Sequence, residues 1–306
     1  MTPLPFAPGD LGPGEDPDKV AASVARFACA DADDDASFDL GYRLLDAQFG
    51  AANELERREV LAAWFRTGSL SPPGGPIHAR YHLVLARDRT RDGAVAAVRD
   101  GFSAVDVANR RVVSLMSHSL VLPDWRRTGV AALLRAAPVV HARTDAAALG
   151  VPDAEIVLVA EMEMTDPTAA DTAIRLIAYR RAGFKVVPPP VVPYAQPDFR
   201  DCVALGIEPV PLPFVLLVRQ VGEERRDTLP AARAIAILDH LAVIHRPAVD
   251  PRQLGPIRAH ALRNVLDPRA ELPLWDLPTG PDDTPRLTAL SKDRLLPLYP
   301  EAWRPR

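Results

Sequence analysis

The chain has 306 residues, a formal net charge of -4, and 48% apolar against 25% charged residues. That is the composition of a globular protein with a core of its own. No surplus of lysine and arginine is available to neutralise phosphates, which excludes nucleic acid as an expected partner. Two cysteines, Cys29 and Cys202, cannot make a disulfide framework or a thiolate zinc cluster. His240 and His245 lie five apart, suit no single helical face and lack a third ligand, so no metal is expected. Met1 to Asp18 lacks the basic start and apolar run of a signal peptide. No stretch approaches the roughly eighteen apolar residues of a membrane span. The expectation is a cytoplasmic protein with no membrane partner.

In chain order, residues 1 to 36 read as a flexible tail, low in large apolar residues, with an acidic cluster from Asp31 to Asp35. Ser37 to Phe65 holds two helical segments. In the second, Leu61, Trp64 and Phe65 share one face, with Glu54, Glu56 and Arg57 outside. Ser71 to Pro76 then stops helix. Three strands follow, His78 to Ala86, Ala94 to Val107 and Val112 to Leu122, joined too closely for helical crossovers and so an antiparallel meander. A helix begins at Thr128, with Val130, Leu133 and Leu134 on its buried side and Pro138 expected to kink it.

Glu155 to Ala160 reads as a buried strand, Thr168 to Ala182 as a helix, Phe184 to Val187 and Phe214 to Val221 as strands. Pro188 to Phe199 is an extended proline-dense connector, whose Tyr194 and Gln196 could touch an acceptor but read better as rigid linkage. Beyond Glu223 come helices over Leu229 to His245 and Leu254 to Val265, then a proline-rich irregular end from Asp267. The expected division is a tail (1–36), a mixed α/β domain (37–222) and a helical, proline-rich extension (223–306), with helices on the faces of the sheet.

The informative segment is Val121-Leu122-Pro123-Asp124-Trp125-Arg126-Arg127-Thr128-Gly129-Val130-Ala131. A strand ends, a tight loop follows, and a helix starts. The first amides of a helix have no intrahelical partners and sit at the positive end of its dipole, which makes an anion site. Gly129 lets another group approach the backbone there. These residues resemble the pyrophosphate loop of the GNAT superfamily of acyl-CoA N-acyltransferases: Arg126, Gly129 and Ala131 fill its pattern, preceded by Val121, Pro123 and Trp125. Downstream, Tyr179-Arg180-Arg181-Ala182-Gly183-Phe184 matches the family's Tyr, three residues, Gly-Phe ending of a later helix. Many relatives carry Asn about seven residues before that tyrosine, where Thr172 stands here.

The resemblance, over about Phe38 to Val221, implies a GNAT-like α/β (α+β) fold with a mostly antiparallel sheet flanked by helices. It implies acetyl-CoA, or another acyl-CoA, as co-substrate and no metal. Main-chain groups of Arg127, Thr128, Gly129, Val130 and Ala131, with Arg126, would grip the pyrophosphate, and Thr172 could donate a hydrogen bond to the cofactor. A backbone amide among Leu120, Val121 and Leu122 would polarise the thioester carbonyl. A substrate amine, small molecule or protein, would attack the thioester directly. Tyr179 is then the candidate acid for the leaving thiolate, against a packing role between helix and sheet. Glu161, Glu163 and His118 are candidate bases, the first two against a solvated strand end and the last against a half-buried structural histidine. The rival to an N-acetyltransferase is a GNAT-fold binding or regulatory protein without catalysis, its C-terminal helices a partner or homodimer surface. A weaker alternative is a protein for some other phosphate ligand.

Overall fold

The computed structural model describes residues 2–52, 55–68, 75–166 and 170–304. The expected helix stop at Ser71 to Gly74, the exposed Glu54 and the helix start at Thr168 lie outside the described residues. Two compact units emerge, Met1–Leu158 and Val159–Arg306. The division falls inside a strand rather than at the change of sequence character near Glu223, because contacts and not composition define a compact unit.

The first unit contains α1 (Pro17–Arg26), β1 (Phe27–Asp31), α2 (Asp35–Phe49), α3 (Arg58–Thr67), β2 (Ile77–Asp88), β3 (Ala94–Asp106), β4 (Arg111–Leu115), β5 (Ser119–Val121) and α4 (Val130–Ala148). It ends in β6 (Glu155–Met162), which crosses into the second unit. The expected meander is present: β2 pairs antiparallel with β3, and β3 with β4. The third strand is broken in two, and β5 pairs with β3 in its own register. α4 runs on through Pro138 to Ala148.

Residues 1–36 are not a tail. α1 starts at an Asp16 N-cap that accepts from the Asp18 and Lys19 amides, with Pro17 at the first helical position. β1 pairs antiparallel along β2 from Phe27↔Asp88 to Asp31↔Val84. Val20, Phe27 and Cys29 join Val84, Ala86, Val130, Leu133 and Leu134 in one buried cluster. Burial pushes the Cys29 thiol up to about 12. Arg135 holds Glu15 at 3.0 Å, and Arg143 holds Asp10. The polar and small residues that dominate this segment concealed a short, well-placed apolar run. The acidic cluster is likewise used: Asp34 caps α2 through the Ser37 amide at 2.7 Å, and Asp35 pairs with Arg66 at 3.2 Å.

Trp64 packs edge-on against Phe102 at 5.0 Å, and Leu61 is fully buried, each such side chain contributing about 1.5–3 kcal/mol. Glu56, expected outside, is buried. It precedes the helix start at Arg58, so helical periodicity does not govern where it points.

The second unit contains α5 (Ala170–Arg181), β7 (Lys185–Val186), β8 (Ala195–Gln196), α6 (Cys202–Leu205), β9 (Leu212–Pro213), β10 (Val215–Gln220), β11 (Thr228–Pro230), α7 (Ala231–His245), α8 (Leu254–Leu262), β12 (Glu271–Pro273), β13 (Trp275–Asp276), α9 (Thr284–Ala289) and α10 (Lys292–Leu295). β7 lies between β10 and β13, antiparallel to both. The proline-rich end, expected to be irregular, therefore supplies an edge strand. α7 buries Ile237, Leu238, Leu241 and Ile244. Mixed α/β architecture with antiparallel ladders and flanking helices is thus observed. No described helix is long and apolar enough to cross a membrane.

Candidate active site

The route to the loop begins at a bulge. Phe102 faces Leu115, but Val98 faces Leu120, so the register slips by one residue and Met116 to His118 fall in the gap. Such bulges bend a strand and re-aim side chains. Gly101 permits it: a Cβ there would stand 2.4 Å from the Leu115 carbonyl oxygen. Asp100 then pins His118, accepting from its backbone N–H at 2.8 Å and lying 3.0 Å from Nδ1, while Tyr81 donates to the other carboxylate oxygen at 3.3 Å. Phe49 packs on the imidazole at 5.0 Å. His118 is nine-tenths buried and firmly oriented by a carboxylate.

Past the bulge the amides alternate. The Asp100 amide donates to the His118 carbonyl, and the Leu122 amide to the Ala96 carbonyl at 3.0 Å. Leu122 is therefore spent inside the sheet, Leu120 faces the same way, and the Val121 N–H points outward. Of the three residues expected to offer a carbonyl-polarising amide, Val121 is the one whose N–H is directed away from β3. β5 pairs with β3 and with no other strand among the described residues.

The loop itself is Pro123 to Gly129. A short 3-10 turn spans Pro123–Trp125, and the Thr128 hydroxyl and amide both donate to the Trp125 carbonyl, at 2.6 and 3.3 Å. The indole Nε1 of Trp125 donates to Asp88 at 2.9 Å, and Arg26 grips the same carboxylate at 2.7 Å. Arg26 first, then Thr90 and Trp125, hold Asp88 far below the usual carboxylate range. Arg91 stacks over the indole at 5.1 Å. The loop is thus nailed to the sheet through one aromatic residue.

Arg127 and Gly129 are left-handed, at φ +64° and +90°. None of the amides of Arg127, Gly129, Val130 and Ala131 makes a backbone hydrogen bond among the described residues. They sit at the positive end of a 19-residue helix, beside the exposed Arg126 and Arg127 side chains. The space at Gly129 serves another purpose than expected: a Cβ there would meet Ser23 Oγ of α1 at 2.2 Å. Glycine is required by α1 and by the positive φ.

The remaining candidates lie in the second unit. Glu161 is not at a solvated strand end; its side chain is buried. It accepts from the Tyr194 hydroxyl, from Gln196 Nε2 at 3.0 Å and from His245 Nε2 at 3.1 Å. Burial would raise its carboxyl, but the neighbouring His245 and the three donors outweigh this and hold it below its ordinary value. Tyr194 and Gln196 therefore anchor the proline-dense connector. Sequence reasoning placed neither of them, nor His245, against Glu161; each contributes one polar atom from a different element, which spacing cannot reveal.

Glu163 forms a half-exposed ion pair with Arg175 at 3.0 Å. Thr172 is buried in the first turn of α5. Tyr179 is half-buried, its ring edge-on to Phe184 at 5.0 Å. Here the Tyr-x-x-x-Gly-Phe motif has a direct structural account. Phe184 N–H bonds the Tyr179 carbonyl at 3.1 Å, Gly183 N–H bonds the Arg180 carbonyl at 2.9 Å, and Gly183 is left-handed at φ +86°. This is a Schellman stop with its accompanying apolar contact.

No family model matches the chain, and no curated protein matches it. Among solved structures, a GCN5-related glucosamine N-acetyltransferase region of a fungal multi-domain GH3 beta-N-acetylglucosaminidase matches 52% of this chain and 17% of that one, at 17% identity and a TM-score of 0.37. Nourseothricin acetyltransferase matches over 46% of this chain and 65% of that one, at 20% identity and a TM-score of 0.24. The chain therefore covers less than two thirds of either protein's length, and TM-scores this low carry no functional weight.

Proposed function

We propose that the protein is an acyl-CoA-dependent N-acyltransferase of the GNAT type, with acetyl as the acyl group and an amine, on a small molecule or a protein, as acceptor. The observation that carries this reading is the loop from Leu122 to Ala131: four amides at the start of α4 that no backbone carbonyl among the described residues meets, with two left-handed residues and two exposed arginines. Pyrophosphate is the ligand such an array suits. The outward Val121 N–H, beside the loop, is the donor for the thioester oxygen as negative charge develops on it.

In this reading the amine nitrogen attacks the thioester carbonyl, the carbon–sulfur bond breaks, and the thiolate takes a proton. Tyr179 supplies that proton, its hydroxyl being the polar end of a ring that packs against Phe184 at the helix stop. His118, oriented by Asp100, is the better-built base for the amine proton. Glu161 already accepts three hydrogen bonds, so it acts as an anchor. That closed knot also favours a second reading, a CoA-binding protein without transfer.

The test is calorimetric binding of acetyl-CoA to the wild type, Ala131→Glu and Arg126→Glu. A carboxylate in the first turn of α4 suits the helix dipole, so Ala131→Glu keeps its stability while competing for the amides. Wild-type binding lost in Ala131→Glu and weakened in Arg126→Glu supports the site. No binding by folded wild type sinks it. Binding with no turnover over a panel of amines selects the second reading.

A further inference from the structure

A second polar cluster in the first unit has no part in the acyl-transfer reading. We propose that Asp31, His82 and His141 bind one divalent transition-metal ion of the zinc class, entered from the acidic cleft beside them. One donor atom from each lies within 4.8 Å of the others. They come from β1, β2 and α4, so the ion would tie three elements together.

The donor set is chemically suited. Both imidazoles are more than nine-tenths buried. His141 Nε2 and Asp31 Oδ1 stand 2.8 Å apart as a buried pair, a contact that an ion bound to both atoms would replace. His82 Nε2 lies 2.8 Å from Asp145 and 3.2 Å from Ser103, which leaves Nδ1 as its ligating atom. A carboxylate holding the far nitrogen is the usual support of a metal-bound histidine. Two imidazoles and a carboxylate select zinc-like ions over magnesium or calcium and leave a fourth position for water.

A cleft of about 540 Å³ reaches the cluster, lined by Asp31, Asp33, Asp34 and Asp35 with His82. Its two arginines, Arg66 and Arg80, are paired with Asp35 and Asp145, so the cleft attracts cations. The two rings stack face to face, centroids 3.9 Å apart and 5° from parallel. In-plane lone pairs of stacked rings run side by side, whereas two nitrogens on one ion must converge at about 2.0–2.1 Å from it. Loading therefore turns one ring. His141 is that ring, because its Nε2 partner Asp31 is itself a ligand, whereas Asp145 and Ser103, which are not, hold His82.

The test uses the full chain, stripped with chelator and dialysed. Zn²⁺ is titrated by calorimetry, and Co²⁺ is added as a coloured reporter of tetrahedral nitrogen and oxygen ligation. Wild type takes up one Zn²⁺ per chain, and magnesium in excess does not displace it. His141→Gln and the isosteric Asp31→Asn abolish uptake and the Co²⁺ band, Asp145→Asn weakens affinity by about 10–100-fold, and His78→Gln changes nothing. Absence of uptake by wild type, or unchanged uptake in Asp31→Asn, overturns the proposal. Should His141→Gln fail to fold, Asp31→Asn decides alone.

Discussion

Two regions of this molecule that hold candidate site residues behave oppositely in the structure. At the start of α4, two arginines are exposed, and no backbone carbonyl among the described residues meets the amides of Arg127, Gly129, Val130 and Ala131. Around Glu161, every carboxylate oxygen is met by a donor, and the connector, β6 and α7 close over it. Chemistry on a ligand needs capacity left open where the ligand arrives. A buried group whose capacity is filled is a fastening. The difference separates a candidate anion site from a structural knot that holds residues equally tempting to the eye.

The sharpest way to break that comparison is Glu161→Ala. It strands the Tyr194, Gln196 and His245 donors in the interior and should cost about 3–5 kcal/mol in chemical denaturation. A loss below about 1 kcal/mol would mean that the knot is not a fastening. Next comes Gly129→Ala, which combines a left-handed φ worth about 1–2 kcal/mol with the collision against Ser23. In a Ser23→Ala background, where the nearest atom would be Cβ at 3.5 Å, only the backbone part should remain. A double-mutant cycle with no coupling would show that α1 does not press on the loop.

Tyr179→Phe keeps the ring against Phe184 and should leave stability within about 0.5 kcal/mol. Under the proposed function it nevertheless slows transfer by about 100-fold or more; an unchanged rate would confine Tyr179 to the helix stop. The smallest effect is on acid sensitivity. Because Glu161 is depressed in the folded state, its contribution is complete above the unfolded value of about 4.3 and is lost as pH falls through the folded value. Glu161→Gln should therefore lower the melting temperature at neutral pH and flatten its decline into acid. An equally steep decline would place the acid-labile group elsewhere.

Much of the architecture was legible because it is written in local pattern. The meander of β2, β3 and β4 follows from apolar runs with turns too short for crossovers. The loop before α4 follows from proline, tryptophan, arginine and glycine at fixed offsets. Residues 1–36 escaped for a different reason: a composition that is polar on average hid the Asp16-Pro17 helix start and the Phe27 to Ala30 strand. The bulge at Met116 to His118 was invisible for another reason. It depends on Gly101 of the neighbouring strand, and no pattern within β4 and β5 reports it.

The sequence by itself determined the strand-loop-helix before α4, since capping, helix polarity and left-handed glycine are properties of adjacent residues. Tertiary structure alone decided which polar groups remain available. Val121 and not Leu122 carries the outward amide because β3 takes the alternate positions. Glu161 is closed because α7 brings His245 to it, and Asp31 meets His82 and His141 because β1, β2 and α4 pack together. Those pairings join residues tens of positions apart, where side-chain type sets what a contact can do and only packing sets which contact is made.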